Sequence, residues 1–149
     1  MTTEIRVWQI VDGNLEPIDI SMTQAGRGEV DDLEKWIKSH PSILGAGILI
    51  IGEQVPTKSG FIDFLAIDDS GNLVIIELKR DKLPREVLAQ AMDYASDVAT
   101  WDEDKIGEVC LRFTGQQIED YLNENFGDLD FTELVLNKTQ RILLVGFSI

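Results

Sequence analysis

The feature that most constrains the fold of this chain is a pair of apolar runs separated by a short turn signal. The runs are 61–67 (FIDFLAI) and 73–79 (LVIIELK), and the DDSGN between them is rich in residues that favour tight turns. Short apolar runs bounded by turn residues are typical of strands that are buried on both faces. The sequence therefore predicts a central antiparallel hairpin in a sheet that helices cover on both sides.

The patterns on either side of this hairpin complete an order of α-β-β-β-α-β. Residues 31–39 predict a short helix and 47–51 a buried strand. Residues 84–101 predict a helix, because Pro84 suits its first turn and the apolar residues keep helical spacing. Residues 141–147 predict a last buried strand. The predicted fold class is α/β, with a mixed sheet flanked by helices.

Two further segments lie outside that order. Alternation around Asp12-Gly13 is typical of a β-hairpin with a two-residue turn, and Pro17 favours an edge strand. A later acidic segment predicts one or two short helices, most clearly over 115–125. We predict a single domain, made of an N-terminal hairpin over 1–20, a core over 31–101, an acidic helical insert over 102–140 and a last strand over 141–149.

The net charge limits the partners to be expected. The 149 residues include 27 Asp and Glu against 13 Lys and Arg, which gives a net charge of -14. Proteins that depend on phosphate contacts are usually basic, so this composition counts against generic nucleic-acid binding. A local basic patch remains compatible with it.

The cellular location is predicted from three simple features. The sequence has no apolar run of membrane-spanning length and no signal-peptide pattern, so we expect no membrane association. Cys110 is the only cysteine, which suits a reducing cytoplasm. The chain ends at Ile149, directly after the last predicted strand, and from this we expect a truncated chain or a missing downstream segment.

Three polar residues of the central hairpin form a candidate site. If Ile67 pairs with Leu73 across the turn, Asp63 lies opposite Glu77 on the same face, with Cβ atoms roughly 5 Å apart. Lys79 follows Glu77 by two residues and shares that face. A slip of one residue would place the two acids on opposite faces.

Two carboxylates that face each other in an apolar sheet need a compensating charge, because burying bare charges is costly. Their expected neighbours are all apolar: Phe61, Leu65, Leu73 and Ile75. Two carboxylates and several waters suit Mg²⁺. Lys79 would balance the remaining charge, or polarise an attacking water and stabilise the transition state. The alternative is a structural ion pair between Lys79 and one of the acids.

The order of these segments also resembles a known group of enzymes. Gly60–Asp63 (GFID) is followed by Ile76–Arg80 (IELKR) and then by Gln90 and Tyr94. In these residues the chain resembles the PD-(D/E)XK nuclease superfamily, in particular its RecB-like branch and the C-terminal nuclease domain of NucS/EndoMS-like endonucleases. The resemblance runs from about residue 29 to 101. It implies a restriction-endonuclease-like core with the order α-β-β-β-α-β.

The resemblance implies a role for each matching residue. Asp63 and Glu77 would hold Mg²⁺ or Mn²⁺, and Lys79 would be the catalytic lysine of a metal-dependent nuclease that hydrolyses DNA phosphodiester bonds in DNA repair or processing. Gln90 and Tyr94 would line the active site. Core packing is an equal alternative for Tyr94, whereas a glutamine among apolar residues favours the functional interpretation for Gln90.

The resemblance also implies a further acidic residue of the site at the first helix, and the chain departs from the pattern of the superfamily at one position. The superfamily often adds a glutamate at that helix; Glu34 is the better candidate and Glu29 the other, with a solvated acid as the alternative. Ile62 stands where the superfamily usually has proline. No segment matches the N-terminal DNA-binding domain of the NucS/EndoMS-like enzymes, so their mismatch specificity is in doubt for this chain.

A cluster of basic residues beside the site predicts the approach of a phosphate backbone. The residues predicted to bind nucleic acid are Lys58, Arg80, Lys82, Arg85 and Tyr94. The alternative for the basic residues is a solvated turn. The rival hypothesis for the whole chain is a catalytically silent module that binds nucleic acid or protein within a larger assembly. A third hypothesis is that a partner protein supplies the DNA-binding surface, and the resemblance is also compatible with a homodimer.

Overall fold

The computed structural model describes residues 7–11, 14–18, 35, 37–40, 44–82, 85–127 and 129–148. The strands of these residues are β1 Val7–Val11, β2 Asn14–Ile18, β3 Ile48–Thr57, β4 Gly60–Asp68, β5 Leu73–Lys82 and β6 Gln140–Ser148. Their helices are α1 Arg85–Val98, α2 Glu103–Thr114 and α3 Ile118–Phe126. Residues 35 and 37–39 are also helical and fall within the first predicted helix, whose other residues lie outside the described part of the chain.

The main sheet has four strands in the order β3-β4-β5-β6. β3 pairs antiparallel with β4 and β4 antiparallel with β5, whereas β6 lies parallel to β5. A parallel neighbour needs a crossover connection, which α1, α2 and α3 provide between β5 and β6. The predicted fold class, an α/β mixed sheet with flanking helices, is confirmed.

The N-terminal hairpin forms a two-stranded sheet of its own. β1 and β2 pair antiparallel from Val7 with Ile18 to Val11 with Asn14, which leaves two residues for the turn, as predicted. Pro17 pairs with Trp8. Both strands of a two-stranded sheet are edges, where a proline costs no hydrogen bond of the ladder.

The predicted register of the central hairpin is confirmed. Ile67 pairs with Leu73, and the ladder continues to Phe64 with Ile76. The turn is built around Asp68, whose Oδ1 accepts hydrogen bonds from the backbone N–H groups of Ser70 (3.0 Å) and Asn72 (2.9 Å). A side chain that binds the backbone in this way fixes the turn, and with it the register of both strands.

The sheet has an apolar core on each face, because successive residues of β4 and β5 alternate between two clusters. The cluster that packs against α1, α2 and α3 includes Leu65, Ile67, Leu73 and Ile75 from the strands. The other cluster includes Phe64, Ala66, Val74 and Ile76, together with Ile37 of the first helical segment. Helices therefore cover both faces, as the apolar strands predicted.

β3 is longer than the predicted strand 47–51 and continues to Thr57. Its pairing with β4 shifts by one residue between Ile50 and Gly52, which marks a β-bulge. A Cβ at Gly52 would come within 2.6 Å of Val55 Cγ2 and 2.9 Å of Val109 Cγ1, so the close packing of β3 against α2 requires glycine here. The sequence pattern ends at this glycine, whereas the strand passes through it.

The acidic segment contains both α2 and α3, of which only the second matches the clearest prediction, 115–125. α2 begins after Asp102, whose side chain accepts a hydrogen bond from the backbone N–H of Lys105, and it ends before Gly115 at φ 75°. α1 ends at Val98, three residues before the predicted end at Trp101. Within the described residues, no helix is both long and apolar enough to cross a membrane.

Candidate metal and catalytic site

The candidate site lies where β4 and β5 stop pairing through their backbones. The ladder ends at Phe64 and Ile76, one position before the two acids. There the Oδ2 atom of Asp63 accepts a hydrogen bond of 2.9 Å from the backbone N–H of Leu78. The backbone N–H of Asp63 donates to Oε1 of Glu77 at 3.4 Å. The expected Asp63–Glu77 neighbourhood is present, but side-chain bonds take the place of the expected backbone pair.

Burial of Glu77 governs the electrostatics of the pair. Glu77 is only 6% exposed, whereas Asp63 is partly buried. Desolvation, a hydrogen bond with Asp63 and the negative charge of Asp63 together raise the pKa of Glu77 to about 8. Phe61, expected as an apolar neighbour, is 61% exposed, so solvent reaches this end of the hairpin. Without a cation, the pair therefore retains a proton near neutral pH.

Two neighbouring carboxylates, one of them buried, fit the requirements of a hard divalent cation. Mg²⁺ is commonly held by one or two carboxylates and completes its shell with waters or substrate phosphates. Among the described residues no group of three or more His, Cys, Asp or Glu side chains could hold a metal, so the acids described here form a two-carboxylate set. Glu29 and Glu34, the candidates for a further acid, lie outside the described residues.

Lys79 lies beside the pair without neutralising it directly. Its side chain is exposed, and no nitrogen–oxygen contact within 4.0 Å joins it to Asp63 or Glu77, all three of which are described. Its positive charge nonetheless lowers the pKa of Glu77, though less than burial raises it. The structure therefore does not contain the ion pair that was the alternative interpretation of Lys79.

Gln90 and Tyr94 of α1 occupy different environments. Gln90 is exposed, and within the described part of the chain it makes no hydrogen bond to either acid. Tyr94 is 2% exposed and belongs to the core cluster, so its predicted contact with nucleic acid does not fit its burial. Burial first, and then the charges of Glu77 and Asp63, raise the pKa of Tyr94, which places its hydroxyl in the field of the acid pair.

Tyr94 also accounts for the presence of glycine at position 60. Gly60 begins β4 at φ +139°, and a Cβ there would lie 2.9 Å from the hydroxyl oxygen of Tyr94. Next to it, the backbone N–H of Ser59 donates to Oδ2 of Asp97 at 2.9 Å. The turn between β3 and β4 is therefore held against α1, three residues before Asp63.

The predicted basic cluster is described only in part. Lys58, in the turn between β3 and β4, and Arg85, at the start of α1, are both exposed. The backbones of Arg80 and Lys82 belong to β5, and their side chains lie outside the described residues. Lys58 and Arg85 are therefore exposed to solvent at the end of the hairpin where β4 and β5 separate.

The structure adds one residue that the sequence patterns did not indicate. Gln54 of β3 donates a hydrogen bond from Nε2 to Oδ1 of Asp63 at 3.3 Å. Its backbone has φ 49°, which is unusual for a residue other than glycine. The strand had been predicted to end at Ile51, so no periodicity connected Gln54 with Asp63.

Fold and site together define a mixed α/β domain with paired carboxylates at the open end of a central hairpin. A family model described as "Endonuclease NucS C-terminal domain" matches residues 29–122. The chain belongs to this family, which agrees with the resemblance seen in the sequence.

Two relatives named Endonuclease NucS support the same assignment. The chain is 37% identical over 117 residues to Endonuclease NucS of Aeropyrum pernix, covering 78% of this chain and 44% of that protein. It is 30% identical over 107 residues to Endonuclease NucS 2 of Halobacterium salinarum, covering 72% and 42%. A repair endonuclease from Pyrococcus abyssi superposes with a TM-score of 0.48 at 21% identity, over 85% of this chain and 41% of that one. The chain thus spans less than half the length of these relatives.

Proposed function

We propose that this chain is a metal-dependent nuclease that hydrolyses DNA phosphodiester bonds in DNA repair or processing, with Mg²⁺ or Mn²⁺ held by Asp63 and Glu77. The observation that carries the proposal is the pair of neighbouring acids: the backbone N–H of Asp63 donates to the buried Glu77 carboxylate, whose pKa burial and the Asp63 side chain raise to about 8. The relatives support it because they bear the name endonuclease. Their names leave the metal and the substrate of this chain to experiment.

Each residue of the proposed site has a separate task. The bound cation would lower the pKa of a water molecule and stabilise negative charge on the phosphate. Asp63, held by the Leu78 N–H, would keep one carboxylate fixed for the metal. Lys79, exposed and free of an ion pair with either acid, would present its ammonium group to the phosphate or to the attacking water. Lys58 and Arg85 would approach the phosphate backbone.

The test is cleavage of labelled single-stranded, duplex and branched DNA with Mg²⁺ or Mn²⁺. We expect Asp63→Asn, Glu77→Gln and Lys79→Ala each to reduce the rate by about 100-fold or more, the scale of losing one fixed group that stabilises a transition state. Asp69→Asn is the matched control, because it changes an exposed acid of the same hairpin. A rate that survives the loss of the Asp63 or Glu77 carboxylate would refute the proposal.

A second candidate follows from the charge of the whole chain. A net charge of -14 repels DNA overall, which favours a silent module or a partner that supplies the DNA-binding surface. A Mn²⁺ titration separates the candidates, since a silent module has no reason to bind the ion at Asp63. A homodimer would be detected in the same samples by sedimentation. The cytoplasmic location stays a prediction.

A further inference from the structure

We propose that Gln54 is a positioning residue of this site, which orients the Asp63 carboxylate for the metal ion. The proposal rests on the proposed function and adds a residue to it. The two oxygens of Asp63 are held from opposite strands: Leu78 of β5 donates its backbone N–H to Oδ2, and Gln54 of β3 donates Nε2 to Oδ1. A carboxylate held at both oxygens cannot rotate freely about its last bond.

The pairing of β3 with β4 accounts for this contact. Glu53 pairs with Phe64 and Val55 with Ile62, so Gln54 is the residue of β3 that stands across from Asp63. The register that brings it there exists only after the bulge between Ile50 and Gly52. If the register before the bulge continued, Gln54 would stand across from Ile62 and Glu53 would stand across from Asp63.

The backbone of Gln54 points to the same role. Its φ of 49° lies in the left-handed region, which a side chain with a Cβ disfavours. Glycine would adopt this conformation without strain, yet the chain has a glutamine here. Residues held in this region tend to cluster at functional sites, where the strain is part of the arrangement. The hydrogen bond to Asp63 gives the glutamine side chain a role at this strained position.

A neutral amide is a better hydrogen-bond partner than a charged group for a carboxylate that binds a metal ion. A side-chain amide donates a hydrogen bond without adding positive charge, so the negative charge of Asp63 is not neutralised. A lysine at the same position would form an ion pair with Asp63 and compete with the metal. Because Gln54 is exposed, water can donate to Asp63 in its place when the amide is removed. A water molecule does not hold the carboxylate in one orientation. We therefore expect the loss of Gln54 to change the orientation of Asp63 and not the stability of the fold.

Three variants separate positioning from stability. Gln54→Met keeps the length of the side chain and removes the donor; Gln54→Gly removes the donor and relieves the backbone. The control is Asn137→Gly, at the other described residue with positive φ that is not glycine. Asn137 donates its side-chain amide to the backbone oxygens of Val98 (2.8 Å) and Trp101 (3.1 Å), far along the chain from the acid pair.

The measurements are Mn²⁺ affinity by electron paramagnetic resonance and the urea midpoint of the metal-free protein. We expect both Gln54 variants to lose about tenfold in Mn²⁺ affinity, the lower end for a group that orients a metal ligand. The urea midpoint should be unchanged in Gln54→Met and higher in Gln54→Gly, because glycine accepts the positive φ. Asn137→Gly should show the reverse, a lower midpoint and an unchanged affinity.

Three results would overturn the proposal in distinguishable ways. If the wild type and both Gln54 variants bind Mn²⁺ equally well and Asp63→Asn does not, the nuclease proposal stands and the role of Gln54 is refuted. If the affinity of the Gln54 variants falls only together with the urea midpoint, Gln54 is structural and the positioning role is refuted. A wild-type protein that binds no Mn²⁺ would refute both proposals.

Discussion

Glu77 and Asp68 are equally buried acids whose surroundings assign them different roles. Asp68, 5% exposed, accepts hydrogen bonds from two backbone N–H groups, from the side-chain amide of Asn72 and from Arg141. Glu77, 6% exposed, has another acid as its principal neighbour, and its pKa is raised to about 8. The same degree of burial therefore accompanies a structural carboxylate in one case and an uncompensated one in the other.

The raised pKa of Glu77 predicts how the metal-free protein responds to pH. A carboxyl whose pKa rises on folding from 4.5 to about 8 favours the folded state at low pH, and this contribution is lost as the pH rises through about 8. Glu77→Gln removes the cost of a buried negative charge at high pH, because the amide is always neutral. We expect the variant to raise the urea midpoint clearly at about pH 9 and little at about pH 5.

Urea titrations of both proteins with a chelator present would measure this difference. Glu124→Gln is a suitable control, since it changes an exposed glutamate of α3. Equal effects of Glu77→Gln at the two pH values would contradict the assigned pKa.

At the scale of elements, the turn between β4 and β5 connects three strands. Besides fixing the hairpin, Asp68 reaches β6 through Arg141, with 3.1 Å between Nη1 and Oδ2. Asn72 extends the connection, because its Oδ1 accepts a hydrogen bond of 2.8 Å from the hydroxyl of Thr139. The turn therefore holds the parallel strand as well as the two that carry the acids.

Removing the Asp68 carboxylate should destabilise the protein without removing a group of the proposed catalytic site. Asp68→Ala leaves two backbone N–H groups and the Arg141 guanidinium without their partner, for which we expect a loss of about 2–4 kcal/mol in the free energy of unfolding. Urea denaturation measures the loss, and Asp69→Ala, at the exposed neighbour, should change it by less than about 0.5 kcal/mol. If Asp68→Ala lowered the free energy of unfolding as little as Asp69→Ala does, water would be replacing the hydrogen bonds of Asp68.

The sequence predicted the elements whose pattern is local and missed those that depend on distant contacts. The apolar runs and the DDSGN turn were enough for the hairpin register, because turn chemistry and alternation act between neighbouring residues. The part of β3 after Gly52 was missed, since that glycine is required by Val109 of α2, far along the chain. For the same reason Gln54 could not be connected with Asp63. Tyr94 was left between two interpretations; its burial shows that it packs in the core, and a role in lining the active site stays a prediction.

At the scale of the whole molecule, charge opposes compactness. The net charge of -14 is spread over a small protein, and the described ion pairs include Lys38 with Glu53 and Arg141 with Asp68. Repulsion among many like charges acts over long distances, whereas single exposed ion pairs contribute little. Repulsion should therefore dominate the response of the protein to salt.

We expect sodium chloride to stabilise the protein. Raising the ionic strength from about 0.01 M to about 0.1 M shortens the Debye length from about 30 Å to about 10 Å, which screens the repulsion between exposed acids. The urea midpoint in the presence of a chelator should rise over this range. A midpoint that falls would mean that the ion pairs outweigh the repulsion, and repeating the titration with Lys38→Gln would then show how much the pair with Glu53 contributes.

The arrangement of β5 between an antiparallel and a parallel neighbour has a consequence for the order of folding. β4 and β5 are joined by a short turn, whereas α1, α2 and α3 all separate β5 from β6. As the chain leaves the ribosome, Asp63 and Glu77 can meet while β5 is still an open edge. Closing the long loop to β6 is the slower event, because non-local pairing must first overcome its loop-closure entropy. The order of the elements therefore predicts that the acid pair forms before β6 completes the sheet.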